Sequence, residues 1–202
     1  GGAVVVRDER HVRRIERLRQ HGIERDPQRF HGTSTSGWAY EVQELGWNYR
    51  LSDLACALGI AQLAKLDGFL RDRRTLVAAY RSELARVFAD PRHRVLAPVE
   101  LADRESAHHL FAVAIDFDHY GTTRTAVMAA LAGAGIGTQV HYIPLLAHPL
   151  HASRCPAEHT RRRPGADHYY AQTLSLPLYP ALAREDVTHV VEELRRVLGE
   201  PR

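Results

Sequence analysis

Trp47, Asn48, Tyr49 and Arg50 bring stacking surface, an amide and a guanidinium together within four residues. Gly46, directly before them, permits a backbone turn that a residue with a Cβ would resist. Ser52 then reads as a helix N-cap, and Asp53 falls in the first turn, where negative charge suits the helix dipole. Ala55, Ala57, Gly59 and Ala61 suggest that this helix packs closely against another backbone. On pattern alone, the same stretch is also a core helix capped after a loop.

A second group lies at Gln139-Val140-His141-Tyr142, with Pro144 turning the chain after it. A strand here delivers an imidazole and a phenol to a sheet rim, where ligands tend to bind; a capped strand end is the plain alternative. His148, His151, Cys155 and His159 have ligand types and spacing that suit zinc. Pro149, Pro156 and the run Arg161-Arg162-Arg163 interrupt them, and we expect no metal. Gly133-Ala134-Gly135-Ile136-Gly137 echoes a phosphate-binding loop, but it runs from helix to strand, the reverse of a dinucleotide loop, and reads as a helix C-cap. The basic residues are nearly all arginine, the net charge is only +3, and no aromatic residues interleave with the arginine runs. A nucleic-acid partner is therefore not expected.

The 202 residues, 45% hydrophobic, suffice for one core or two small lobes. No apolar run is long enough to span a membrane, and no apolar leader is visible, so the expectation is a soluble, cytoplasmic protein. Nothing argues for a disulfide between Cys56 and Cys155. The opening Gly1-Gly2-Ala3-Val4-Val5-Val6 reads as a strand buried on both faces, an unusual way to begin, which suggests a fragment of a longer protein. Glu9 to His21 has helical periodicity with Gly22 as its stop, and residues 23–39 read as a loop. Residues 52–89 follow one long helical pattern, about 55 Å if unbroken, with Gly68 as the expected break and Pro91 as the end. Beyond it come expected strands at 95–97, 110–116 and 137–142, a Thr-capped helix at 122–132 and a closing helix at 184–198. Residues 167–180 read as a helix followed by a proline-bounded scaffold. The expected architecture is α/β, with a boundary in the long helix: 1–74 and 75–202.

The wording of these motifs is similar to a known family. Gly46-Trp47-Asn48-Tyr49-Arg50-Leu51-Ser52-Asp53, then Ala57-Leu58-Gly59 and Gln62-Leu63-Ala64-Lys65-Leu66-Asp67, resemble the DegT-type sugar aminotransferases, which use pyridoxal phosphate (PLP). The entry from Tyr40-Glu41 to Arg50 and the segment Gly137 to Pro149 look like the branch acting on the UDP-4-keto sugar of the pseudaminic-acid pathway. The chain departs from that branch at Leu146-Ala147 and at His151. The resemblance implies the fold of type I PLP enzymes: the end of the large domain, a linking helix and a small C-terminal α/β domain.

It also implies a reaction. An amino donor, usually glutamate, passes its amino group through PLP to the keto carbon of a nucleotide-linked sugar, in a homodimer with shared active sites. Asn48 matches the residue that reaches the cofactor phosphate of the neighbouring subunit. The resemblance also brings His141 towards the sugar site; Tyr142 and Arg50 are secondary candidates there, with a structural ion pair as the alternative for Arg50. The Schiff-base lysine has no counterpart: Lys65 is the only lysine, and it matches a family position inside the long helix, outside the active site. The catalytic lysine is therefore expected to be missing from this chain. The alternative is an inactive remnant serving as a binding or dimerisation module.

Overall fold

A computed structural model describes residues 2–33, 36–155 and 164–201. The chain forms two compact units, residues 1–65 and 66–202. The Arg74 boundary drawn from the sequence falls within a helix of the second.

In the first unit, helix α1 (Glu9–Arg19) is capped by Asp8, whose side chain accepts from the Arg10 N–H. It closes where His21 and Gly22 take left-handed backbone conformations and the Gly22 N–H reaches back to the Arg17 carbonyl. Strands β1 (Ile23–Glu24) and β2 (Glu41–Val42) pair antiparallel, Ile23 opposite Val42. The stretch expected as a plain loop therefore carries a short strand, and a 3₁₀ turn follows at Pro27–Arg29. The strand expected at Gly2–Val6 is absent: Val4 and Val5 are exposed and unpaired. An extended apolar run becomes a strand only when a neighbour offers a hydrogen-bonding edge. Helix α2 (Asp53–Leu63) starts where expected, with the Ser52 hydroxyl accepting from Ala55 N–H at 3.3 Å.

The expected single long helix is two. After α2 comes the turn Ala64-Lys65, and α3 (Leu66–Val87) begins the second unit. The break is not at Gly68, which sits inside α3. It lies at Lys65, whose N–H bonds the Gln62 carbonyl, an i−3 rather than i−4 partner, ending the regular ladder. Lys65 is thus an exposed turn residue, not a mid-helix one.

The second unit is organised by an antiparallel sheet of order β3-β4-β5: β3 (Val95–Leu96), β4 (Phe111–Ile115) and β5 (Thr173–Leu176). On β4, Phe111, Val113 and Ile115 are buried and Ala112 and Ala114 less so, the period-2 pattern of a sheet covered on one face. Tyr80 of α3, Val127 and Leu131 of α4 (Arg124–Gly133), and Val187, Val191 and Leu194 of α7 (Arg184–Leu198) complete the core. Each such aliphatic side chain stabilises the fold by about 1.5–3 kcal/mol. α4 is capped by Thr123 and ends in the expected glycine turn: Ile136 N–H bonds the Leu131 carbonyl, Gly135 N–H bonds Ala132, and Gly135 has φ +79°.

Two expectations fail here. The stretch read as scaffold includes β5, all four residues of which are buried, after helix α6 (Pro164–Gln172). The strand expected at 137–142 shrinks to one bridge, Gln139 to Ser175. Gln139 ends its own ladder, because its side-chain oxygen takes the Val140 N–H at 2.8 Å. Between these elements lies the short helix α5 (Pro149–Ala152).

Candidate active site

The Trp47–Arg50 turn is stitched to the end of α1. Trp47 N–H donates to the Leu18 carbonyl at 2.7 Å, His21 N–H donates to the Trp47 carbonyl at 2.9 Å, and Tyr49 N–H donates to the Arg19 carbonyl at 2.9 Å. The last carbonyls of α1, which lack helical partners, thus find them in the turn. Arg17 reinforces this arrangement. Its guanidinium donates to Glu44 at 2.7 and 2.9 Å and to Gln43 at 3.1 Å, and holds the Glu44 carboxyl below the usual carboxylate range.

Stapled in this way, the turn presents its side chains outward. The Trp47 and Tyr49 rings stack at 5.8 Å, nearly parallel, on either side of Asn48 in sequence. Asn48 is exposed and, with Arg50, lines a cleft of about 840 Å³ whose other walls include Val4, Val12 and Ile15. Arg50 Nε donates to Asn48 Oδ1 at 3.1 Å. Because a guanidinium only donates, the Asn48 oxygen takes this bond, and among the described residues its two amide N–H groups have no acceptor. A phosphate oxygen is such an acceptor, so these residues fit the phosphate end of PLP.

In the second unit, His141 Nδ1 lies 2.8 Å from the Ser175 hydroxyl, and the His141 and Tyr142 rings meet edge to face at 4.7 Å. Tyr142 is exposed. The structure thus joins Asn48 with Arg50 in one unit and His141 with Tyr142 in the other. Ser175 was missed in the sequence because its stretch read as scaffold; the alternating Thr173-Leu174-Ser175-Leu176 was the signal for a strand with a polar face.

His148 and His151 flank and join α5, Cys56 and Cys155 are free thiols, and His159 lies outside the described residues. Among the described residues no three His, Cys, Asp or Glu side chains gather to hold a metal. None of the described helices is long and apolar enough to cross a membrane.

The small antiparallel sheet backed by helices, following a separate unit, has the fold of part of a type I, PLP-dependent aminotransferase. The profile of the DegT/DnrJ/EryC1/StrS aminotransferase family matches residues 1–195, and the chain belongs to that family. It is 31% identical over 199 residues to the spore coat polysaccharide biosynthesis protein SpsC of Bacillus subtilis, covering 98% of this chain and 49% of that protein. It is 32% identical over 199 residues to a UDP-4-amino-4,6-dideoxy-N-acetyl-beta-L-altrosamine transaminase of Campylobacter jejuni, covering 98% and 48%. Its fold matches Helicobacter pylori PseC, an aminotransferase involved in the biosynthesis of pseudoaminic acid, with a TM-score of 0.77, 22% identity, and 95% and 47% of the two chains covered. The chain spans about half the length of the curated relatives it matches.

Proposed function

We propose that this chain forms the second half of a sugar aminotransferase and supplies, from Asn48, the phosphate contact of a PLP site in a neighbouring copy of itself. The observation that carries this reading is the exposed Asn48 amide, its oxygen held by Arg50 and its N–H groups available at a cleft. PLP, when bound, supplies the electron sink for moving an amino group. Asn48 donates to a phosphate oxygen and fixes the cofactor's position. Arg50 orients Asn48 and offers its remaining N–H groups to an anionic substrate. His141 and Tyr142 bind the nucleotide-linked keto sugar, and glutamate is the amino donor. The protein works as a cytoplasmic homodimer with shared sites.

Helix α2 offers an apolar surface to what completes the enzyme, the first half of the chain or the neighbouring copy. None of its residues is buried, although Leu54, Leu58, Ile60 and Leu63 are all apolar. An exposed apolar surface of this kind marks an interaction site.

The test is cofactor affinity in a full-length enzyme built on this chain. A hydrogen bond to a charged group contributes about 1.5–3 kcal/mol, so Asn48→Ala is expected to weaken PLP binding by roughly 10- to 100-fold. Asn48→Asp, which replaces the donor by a negative acceptor, is expected to weaken it further. Unchanged affinity in both removes Asn48 from the site.

A further inference from the structure

We propose that Ser175 is the positioning residue of His141: its hydroxyl donates to Nδ1 and holds the neutral ring as the Nε2–H tautomer, so that His141 offers a hydrogen-bond donor to an oxygen of the sugar. The purpose of this donor rests on the placement of His141 at the sugar, argued above.

The geometry begins with the backbone. Ser175 is fixed on both sides: it is paired with Ala112 of β4, and it exchanges two hydrogen bonds with Gln139, Ser175 N–H to Gln139 O at 2.8 Å and Gln139 N–H to Ser175 O at 3.2 Å. Gln139 stands two residues before His141, so a short tether carries the imidazole to the hydroxyl. The resulting Oγ to Nδ1 distance is 2.8 Å. The imidazole also meets the Tyr142 ring edge to face.

The proton count then selects the tautomer. Ser175 is only 4% exposed, and among the described residues its hydroxyl has no other partner. A hydroxyl carries one proton, which needs an acceptor when water cannot reach it. If Nδ1 carried the hydrogen and donated, the hydroxyl proton would be left unpaired in a buried place. If the hydroxyl donates to a bare Nδ1, both groups are satisfied and the ring proton sits on Nε2. In that state Nε2 donates to an acceptor and does not take up a proton, so His141 binds and orients the sugar while proton transfer falls to another group.

The experiment uses the 202-residue chain labelled with ¹⁵N-histidine, observed by NMR at a pH where imidazoles are neutral. The His141 signals are assigned by their loss in His141→Gln. The expected spectrum shows a protonated Nε2 and a bare Nδ1. Ser175→Ala is expected to move the ring to a mixture of both tautomers, and Ser175→Thr, which keeps a hydroxyl, to restore the single form. A protonated Nδ1 in the unsubstituted chain, or an unchanged tautomer in Ser175→Ala, overturns the proposal. The unsubstituted spectrum decides even if a variant fails to fold. Because it reads the ring with no substrate present, its failure leaves the Asn48 site standing, and loss of that site leaves the tautomer standing.

Discussion

Gly46 passes so close to Gly22 that a Cβ placed on Gly46 would stand 2.2 Å from the Gly22 nitrogen. The approach is mutual in its consequences, since a Cβ on Gly22 would meet the Glu44 carbonyl oxygen at 1.7 Å, at a residue whose φ is +74°. Backbone against backbone, the two glycines let the end of α1 hold the turn that carries Asn48.

Gly46→Ala is therefore expected to push the turn off α1 at a cost of about 1–3 kcal/mol, the usual range for overpacking. Hydrogen exchange checks this directly. The Trp47 and Tyr49 amides, which donate to Leu18 and Arg19, should exchange faster, while the amides of β4 stay protected. Unchanged exchange at Trp47 and Tyr49 would mean that the glycine contact does not hold the turn.

In the second unit, fully buried Tyr80 stacks on Phe111 at 4.6 Å and donates its hydroxyl to the Pro177 carbonyl at 2.8 Å. Tyr80→Phe removes that donor and is expected to cost about 1 kcal/mol in urea unfolding. Burial pushes the phenol well above its ordinary value of 10.0. The folded chain thus keeps the neutral form longer than the unfolded chain does. Its contribution is complete below pH 10 and declines as the pH rises above it. That alkaline decline should be shallower in Tyr80→Phe.

His93 gives a sign at the other end of the scale. It packs edge to face on Phe88 and lies 3.1 Å from the Tyr120 hydroxyl through Nδ1. Burial, aided by the charge of Arg195, lowers its pKa from 6.5. The folded chain then binds the proton less readily than the unfolded one. Stability from this group is present above pH 6.5 and is lost as the pH falls below it. His93→Gln should flatten unfolding free energy against pH between about 6.5 and 5, above the range where unperturbed carboxylates titrate. An identical slope in the variant would remove His93 as the source.

Lys65 lies exposed in the turn after α2 and is the only lysine. Borohydride reduction of the chain mixed with PLP, followed by peptide mass analysis, is expected to find no stoichiometric adduct there. A stoichiometric Lys65 adduct would make this lysine the cofactor anchor.

Much of the second unit could be read directly, because its elements are local and strongly patterned. The β4 alternation at Phe111, Val113 and Ile115 and the bounds of α7 are examples. What failed depended on partners or competition that no local pattern reveals. Val4 and Val5 are apolar enough for a strand but pair with no other strand among the described residues. The ladder after Gln139 ended because a side chain took the next N–H. Gly68 stayed helical while the ladder slipped at Lys65. In the candidate site, residue types exposed Asn48 and His141, whereas Ser175 became visible only when the strand brought it to the imidazole.

Mixed dimers test the central claim most directly. A full-length protomer carrying Asn48→Ala is paired with one whose cofactor-anchoring lysine is replaced, and the heterodimer is assayed for transamination. Because Asn48 is held to serve the partner's cofactor, one of the two sites regains both intact halves, and at limiting PLP the mixed dimer should be more active than either parent homodimer. Mixed dimers no more active than their parents would contradict the account, since Asn48 would then act within its own chain or not at the site.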